Sequence, residues 1–211
     1  MKKKKNRVLD WNLYCIIDDR VGGKSDAPKI AERLFRKGVR VLQLRSKNAP
    51  SCEFLSVALK IRDLAKKYKR DFIINDRPDV AIACGASGIH AGNGDMPTRV
   101  LRKVLGTKNI LIGRTVHSVK DVKEIKKAPV DYLGAGPVFY SPLKKTLGKK
   151  GPEFIKRIKK ITDTPVFAIG GITMRNVKRV FLSGADGACV SRHAGDSGRL
   201  LKKIRGLKEE K

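Results

Sequence analysis

A chain of 211 residues, 41% of them apolar, has material for one full core and the size of a single domain. Its 48 Lys and Arg against 20 Asp and Glu give a net charge of +28, which points to phosphorylated or polyanionic partners. No apolar run approaches the roughly 18 residues of a membrane span, and the MKKKKNR start lacks the long apolar region and cleavage site of a signal peptide.

In chain order, residues 1–8 read as a basic flexible tail on one domain that takes up the rest of residues 1–211. Leu13–Ile17 reads as the first strand. Asp26 before Ala27-Pro28 starts a helix over Pro28–Lys37, with Pro28 in the first turn, where its missing N–H does no harm. Val39–Leu44 is the second strand, and Ser51 before Cys52-Glu53 starts a helix over Cys52–Tyr68. Phe72–Ile74 is the third strand; it ends in Asn75-Asp76 and leads to a short helix over Pro78–Ala83. Gly88–His90 is the fourth, followed by a Gly-rich loop that presents Asp95 before a helix starting at Met96-Pro97. Strands at Ile110–Gly113, Tyr132–Ala135, Val166–Ile169 and Gly187–Val190 complete the series, with helical patterns such as Val119–Lys126 and Met174–Leu182 between them.

Strands alternating with amphipathic helices call for a parallel sheet covered by helices, hence the α/β class. Eight strands in 211 residues fit a closed (β/α)8 TIM barrel better than the alternative, an open doubly wound sheet. The cations are spread over the helical segments, so they read as a solvated outer ring, and nucleic acid is disfavoured as a partner. Cys15, Cys52, Cys84 and Cys189 lack metal or disulfide spacing and read as reduced residues of a cytoplasmic protein.

The polar residues collect at the strand ends: Gln43, Arg45 and Lys47; Asn75 and Asp76; His90 and Asp95; Thr115 and His117; Ser141 and Lys144; Gly170-Gly171; Ser191. In a barrel these ends form one mouth, and the loops after strands 7 and 8 commonly cup a phosphate. Two carboxylates beside several cations suit a diphosphate bridged by Mg²⁺, a hard cation usually held by one or two carboxylates plus substrate phosphates. Asp76 and Asp95 also read as helix N-caps.

The segments VLQLRSK, FIINDRPDVA, GASGIHAGNGDMP, GRTVHS, DYLGAGPVFYSPLKK, PVFAIGGIT and GADGACVS, in this order from Tyr14 to Ser191, resemble the thiamine phosphate synthase family. The resemblance implies a (β/α)8 barrel and a transferase. Its reaction would join 4-amino-2-methyl-5-hydroxymethylpyrimidine diphosphate to hydroxyethylthiazole phosphate, giving thiamine phosphate and diphosphate by a dissociative, Mg²⁺-dependent substitution. It implies Asp76 and Asp95 as metal ligands and Arg45, Lys47 and Lys144 as catalytic cations on the diphosphate, with Asn75 and Thr115 beside them. Gln43 would face the pyrimidine, and Ser141, Gly171 and Ser191 the thiazole phosphate. Partners would be these small phosphorylated molecules and no membrane; self-association into a homo-oligomer is left open.

The chain departs from the family pattern at Leu143, where a threonine is usual, at Gly92-Asn93-Gly94-Asp95, at Ser46, at Arg114 and at Arg192-His193. These changes keep a second reading in view, a thiazole tautomerase-like or non-catalytic thiazole-phosphate-binding paralogue. A histidine such as His117 suits either. The set Asn75, Asp76 and Asp95 favours the synthase, because a tautomerase handles no diphosphate. The basic segment Leu143–Gly151 reads as a lid.

Overall fold

The computed structural model describes residues 7–18, 26–106, 109–125, 128–140 and 148–209. Eight parallel strands close into a barrel in sequence order: β1 (Leu13–Asp18), β2 (Val41–Arg45), β3 (Asp71–Asn75), β4 (Gly88–Ala91), β5 (Leu111–Val116), β6 (Tyr132–Ala135), β7 (Val166–Ile169) and β8 (Gly187–Val190). Helices α1 (Ala27–Arg36), α2 (Ser51–Lys67), α3 (Pro78–Cys84), α4 (Thr98–Leu105), α5 (Val119–Ile125), α6 (Pro152–Lys159), α7 (Val177–Leu182) and α8 (Ser197–Glu209) form the outer ring. The fold is the expected (β/α)8 TIM barrel.

Because strand side chains alternate in direction, each strand feeds two separate cores. The outward set, including Leu13, Leu42, Phe72, Ile89, Ile112, Leu133 and Val166, packs under the helices with Leu34, Phe54, Ile61, Ile155 and Val180. The inward set, including Tyr14, Val41, Ile73, Leu111, Tyr132, Phe167 and Cys189, fills the barrel. Trp11 plugs its lower end: its ring lies 5.6, 5.1 and 5.6 Å from those of Tyr14, Tyr132 and Phe167. Its indole N–H donates to Asp71 at 2.7 Å, and Asp71 also takes the Arg7 guanidinium. Arg7 is therefore tied down and Val8 is fully buried, which differs from the expected tail over residues 1–8; residues 1–6 lie outside the described residues.

Three boundaries differ for local reasons. Val39 lies in the connection after α1, where its N–H bonds back to the Leu34 carbonyl; β2 starts two residues later. Asp26 and Ser51 make no side-chain cap; the Ser51 hydroxyl instead accepts from Arg77 at 2.9 Å. Strand β5 runs three residues past Gly113, to Val116, and so carries Arg114 and Thr115 on the strand itself. Asp186 ties β8 to β7, accepting from the Val166 N–H at 2.7 Å and from Lys159 at 2.8 Å.

Cys15, Cys84 and Cys189 are buried thiols and Cys52 is an exposed one. Among the described residues, no helix is long and apolar enough to cross a membrane. A pocket of about 330 Å³ opens at the lower end, lined by Arg7, Asp10, Trp11, Arg40, Lys66, Lys69, Arg70 and Asp71. It sits where strands begin, the end of this fold that serves stability, and away from the loops that carry chemistry.

Trp11 is 1% exposed and contacts three aromatic rings, so Trp11→Ala removes the plug and strips Asp71 of a donor. The expected loss is about 3–5 kcal/mol in urea unfolding followed by circular dichroism. A loss below about 1 kcal/mol would mean the lower end is not closed by this ring.

Candidate active site

The C-terminal ends of β1 to β5, with the loops just after them, carry seven of the expected residues: Gln43, Arg45, Lys47, Asn75, Asp76, Asp95 and Thr115. Gln43 and Asn75 point into the barrel and are 2% and 7% exposed. Gln43 Nε2 donates to the Tyr14 hydroxyl at 2.8 Å. Arg45, at the end of β2, donates from Nη1 to Asp18 at 2.7 Å, and Asp18 is buried. Asp18 is a site residue that the sequence reading passed over. Its signal is that it continues the inward phase of Tyr14 and Ile16 at a strand end.

Asp76 has a backbone φ of +62°, and the Arg77 N–H reaches back to the Asn75 carbonyl at 2.8 Å. This is a γ-turn centred on Asp76, a strained conformation for a residue with a Cβ. The turn is anchored by the Asp76 N–H, which donates to the His90 carbonyl at 2.9 Å. It cannot be explained as a helix cap, because the N-cap position of α3 is Arg77. Asp95 is not a cap of α4 either; the N-cap there is Pro97, and Asp95 Oδ2 accepts from the Gly92 N–H at 2.6 Å.

The two carboxylates lie within hydrogen-bonding reach of each other. Lys47 Nζ stands 3.8 Å from Asp76 Oδ2. Burial, then the hydrogen bond and charge of Asp95, push Asp76 up to about 6, against the pull of Lys47 and Arg45. Asp95 moves the other way. Burial raises it, but the Asp76 hydrogen bond, the Gly92 N–H, Lys47 and Arg114 together hold it below the ordinary carboxylate range. Below about pH 6 the pair therefore carries one proton, as expected for like charges pressed together. Arg114 lies on the outward face of β5, and its Nη1 is buried without a hydrogen-bond partner among the described residues.

Thr115 and His90 meet inside the mouth, with His90 Nε2 2.9 Å from the Thr115 hydroxyl. His117 Nδ1 donates to the Gly136 carbonyl at 2.6 Å, and its backbone N–H goes to Asp121 at 2.7 Å. Across the barrel, Gly170 and Gly171 take φ values of +102° and +62°, and a Cβ on Gly171 would lie 2.2 Å from the Tyr140 carbonyl oxygen. Asn176 braces this loop, donating to the Gly171 carbonyl at 2.9 Å and accepting from the Thr173 N–H at 2.8 Å. The Ser191 hydroxyl oxygen is buried and has no hydrogen-bond partner among the described residues. Ser141, Leu143 and Lys144 lie outside the described residues, as do most of the proposed lid and the side chains of Arg192 and His193.

Asp76 sets up a stability prediction. Its folded pKa lies above its unfolded value, so its contribution is fully present below about pH 4 and is lost as pH rises through about 6. Asp76→Asn removes that loss and keeps a residue type that tolerates positive φ. In EDTA the variant is expected to be more stable than wild type above pH 6, by on the order of 1 kcal/mol after solvent screening. The gap should close toward pH 4, and calorimetry across this range checks it. Equal melting temperatures throughout would show that the carboxylates do not repel.

Comparison with known proteins places this arrangement. The family model described as thiamine monophosphate synthase matches residues 13–194. The thiamine-phosphate synthase of Caldanaerobacter subterraneus subsp. tengcongensis is 39% identical over 180 residues, covering 85% of this chain and 84% of that protein. Thiamine-phosphate synthase 1 of Aquifex aeolicus is 34% identical over 183 residues, covering 87% and 85%. Among solved structures, a thiamine phosphate pyrophosphorylase from Pyrococcus furiosus superposes with a TM-score of 0.84 at 32% identity, covering 98% of both chains. A fold built in this order, with relatives this similar over nearly their whole length, leaves one conclusion: the chain is a transferase that belongs to the thiamine monophosphate synthase family.

Proposed function

We propose that the chain condenses 4-amino-2-methyl-5-hydroxymethylpyrimidine diphosphate with hydroxyethylthiazole phosphate, releasing diphosphate and thiamine phosphate. One observation carries the reading: Asp76 and Asp95 are pressed together beside Lys47 and Arg45 at the mouth, at a cost in backbone strain and charge repulsion. Such a cost is characteristic of a functional site. A site for the thiazole alone has no use for it.

The chemistry is a substitution at the pyrimidine methylene carbon. Its C–O bond breaks with both electrons leaving on the diphosphate oxygen, and the thiazole nitrogen lone pair forms the new C–N bond. No proton is gained or lost at that carbon, so the reaction calls for charge stabilisation more than for a base. Arg45, Lys47 and Lys144 would meet the charge growing on the diphosphate, with Asn75 and Thr115 as neutral partners. Arg45 is oriented for this by Asp18, which holds one end of its guanidinium. Gln43 would face the pyrimidine. Ser141, Gly171 and Ser191 would bind the thiazole phosphate, a role that suits the buried, unpartnered Ser191 hydroxyl. The barrel interior would keep water from the cationic carbon.

The donor set suits Mg²⁺. Asp76 and Asp95 supply hard carboxylate oxygens, and no group of three or more His, Cys, Asp or Glu forms a complete metal cage among the described residues. Two carboxylates with the remaining positions left to substrate phosphates and water is the usual arrangement for this ion. Bound there, the ion would neutralise charge on the departing diphosphate.

The purified protein is expected to make thiamine phosphate from the two substrates with Mg²⁺ and to stop in EDTA. Asp76→Asn should lower turnover by at least about 100-fold while remaining folded, as expected on removing a metal ligand's charge. Liquid chromatography of the product checks both. Binding of the thiazole phosphate without product would shift the assignment to a tautomerase-like or non-catalytic relative. Undiminished turnover by Asp76→Asn would remove the metal role.

A further inference from the structure

A chain of five polar side chains crosses the barrel interior. Gln43 Nε2 donates to the Tyr14 hydroxyl at 2.8 Å. The Tyr14 and Tyr132 hydroxyls are 2.9 Å apart. Tyr132 meets His90 Nδ1 at 3.2 Å, and His90 Nε2 meets the Thr115 hydroxyl at 2.9 Å. The two phenols are 2% and 0% exposed. Space for the rings is cut into the strands: a Cβ on Gly113 would lie 2.1 Å from Tyr132 Cζ, and one on Gly134 would lie 3.1 Å from His90 Cε1. The sequence gives up two inward side chains to seat these rings.

Proton counting fixes the sense of the chain. Each phenol has one hydrogen to give, and burial holds both well above the ordinary tyrosine range, so both stay protonated. With Gln43 giving an amide hydrogen to Tyr14, the arrangement that leaves neither buried phenol hydrogen unpaired among these five side chains has Tyr14 give its own to Tyr132, and Tyr132 to His90 Nδ1. The imidazole proton then sits on Nε2 and goes to Thr115. Thr115, having accepted, keeps its own hydrogen for the mouth. Gln43 keeps its carbonyl oxygen. Reversing the chain would give Thr115's hydrogen to His90 and leave only lone pairs facing the mouth, which would repel an anion.

We propose that Gln43, Tyr14, Tyr132, His90 and Thr115 form a one-way hydrogen-bond relay that fixes His90 as its Nε2–H tautomer and makes Thr115 a donor to an anionic oxygen at the mouth. Tyr132 is the positioning residue: sealed in the core, it acts on Thr115 through His90. Naming that oxygen as one of the diphosphate rests on the synthase reading; the relay itself does not. The relay also assigns His90 to a structural tautomer that cannot accept a proton from substrate through Nε2.

The test is nitrogen-15 NMR of the chain labelled at histidine, which has three such residues, with His90 assigned through His90→Gln. Wild type should show His90 protonated at Nε2 and not at Nδ1, and Tyr132→Phe should give a tautomer mixture. An Nδ1–H tautomer or an imidazolium in wild type at pH 7.5 overturns the relay. So does a His90 signal unchanged by Tyr132→Phe. Inorganic diphosphate with Mg²⁺, followed by calorimetry, tests the outlet. Thr115→Val should weaken binding by about tenfold or more, Tyr132→Phe by less, and Thr115→Ser hardly at all. Equal binding by Thr115→Val and wild type overturns the donor role. Product formation by wild type is scored separately, so failure of the synthase reading would appear there while the His90 tautomer still judges the relay.

Discussion

The constraint behind this structure is the filling of a closed eight-stranded barrel. Inward positions on neighbouring strands lie too close for every one to carry a large side chain, so large rings must face glycines. Tyr132 lies over Gly113, His90 over Gly134, and the Phe167 ring comes within 2.5 Å of where a Cβ on Gly187 would sit. The rings then touch one another edge to face, with Tyr14 and Phe167 at 5.9 Å and Tyr132 and Phe167 at 5.9 Å, an arrangement that suits aromatic quadrupoles. Trp11 closes the bottom. Filling the lower barrel with solid aromatic packing leaves the mouth as the place where polar groups can gather.

That packing has a polar consequence. A buried tyrosine hydroxyl without a partner costs on the order of 1–3 kcal/mol. Two of them at the centre of a barrel are satisfied by each other and by further inward polar groups on other strands. Gln43 on one side and His90 on the other serve this need, and both lie on strands that end at the mouth. Core satisfaction and site geometry are therefore one problem here, because the same hydrogen bonds serve both.

Much of this was legible in the sequence. The strand and helix periods gave the barrel, because a parallel sheet buried on both faces writes near-continuous apolar runs such as Phe72–Ile74 and Val166–Ile169. Asp76 and Asp95 stood out because an acid at a strand end is a poor structural choice. What escaped notice were pairings across sequence distance. Tyr14 and Tyr132 are 118 residues apart and look like ordinary core aromatics. Asp18 looks like a loop residue until its contact with Arg45 is seen. Local polar signals were also ambiguous: Ser51 and Asp26 resemble caps, yet Ser51 answers Arg77 and Asp26 caps nothing through its side chain.

The large positive charge has a physical place in this architecture. Helices in a (β/α)8 barrel run back along the strands, so their C-termini gather at the end opposite the mouth. Each C-terminus carries partial negative charge that cations relieve. The last turns hold Arg33 and Arg36 on α1, Lys66 and Lys67 on α2, Arg102 and Lys103 on α4, and Lys156, Arg157 and Lys159 on α6. First turns carry few acids, among them Glu53, Asp79, Asp121 and Glu153. Much of the charge is thus a collar on the lower rim, answering the helix dipoles. At the mouth, by contrast, two of the described cations are matched to carboxylates, Arg45 to Asp18 and Lys47 to Asp76. On the proposed reading, an anionic substrate entering there would compete with those carboxylates for the same cations and would loosen the Lys47–Asp76 contact. On the same reading, a divalent cation held by Asp76 and Asp95 would remove that competition, giving the carboxylates a partner and leaving Lys47 to phosphate. Cation and substrate would then bind cooperatively, because each relieves a charge that the other leaves unpaired.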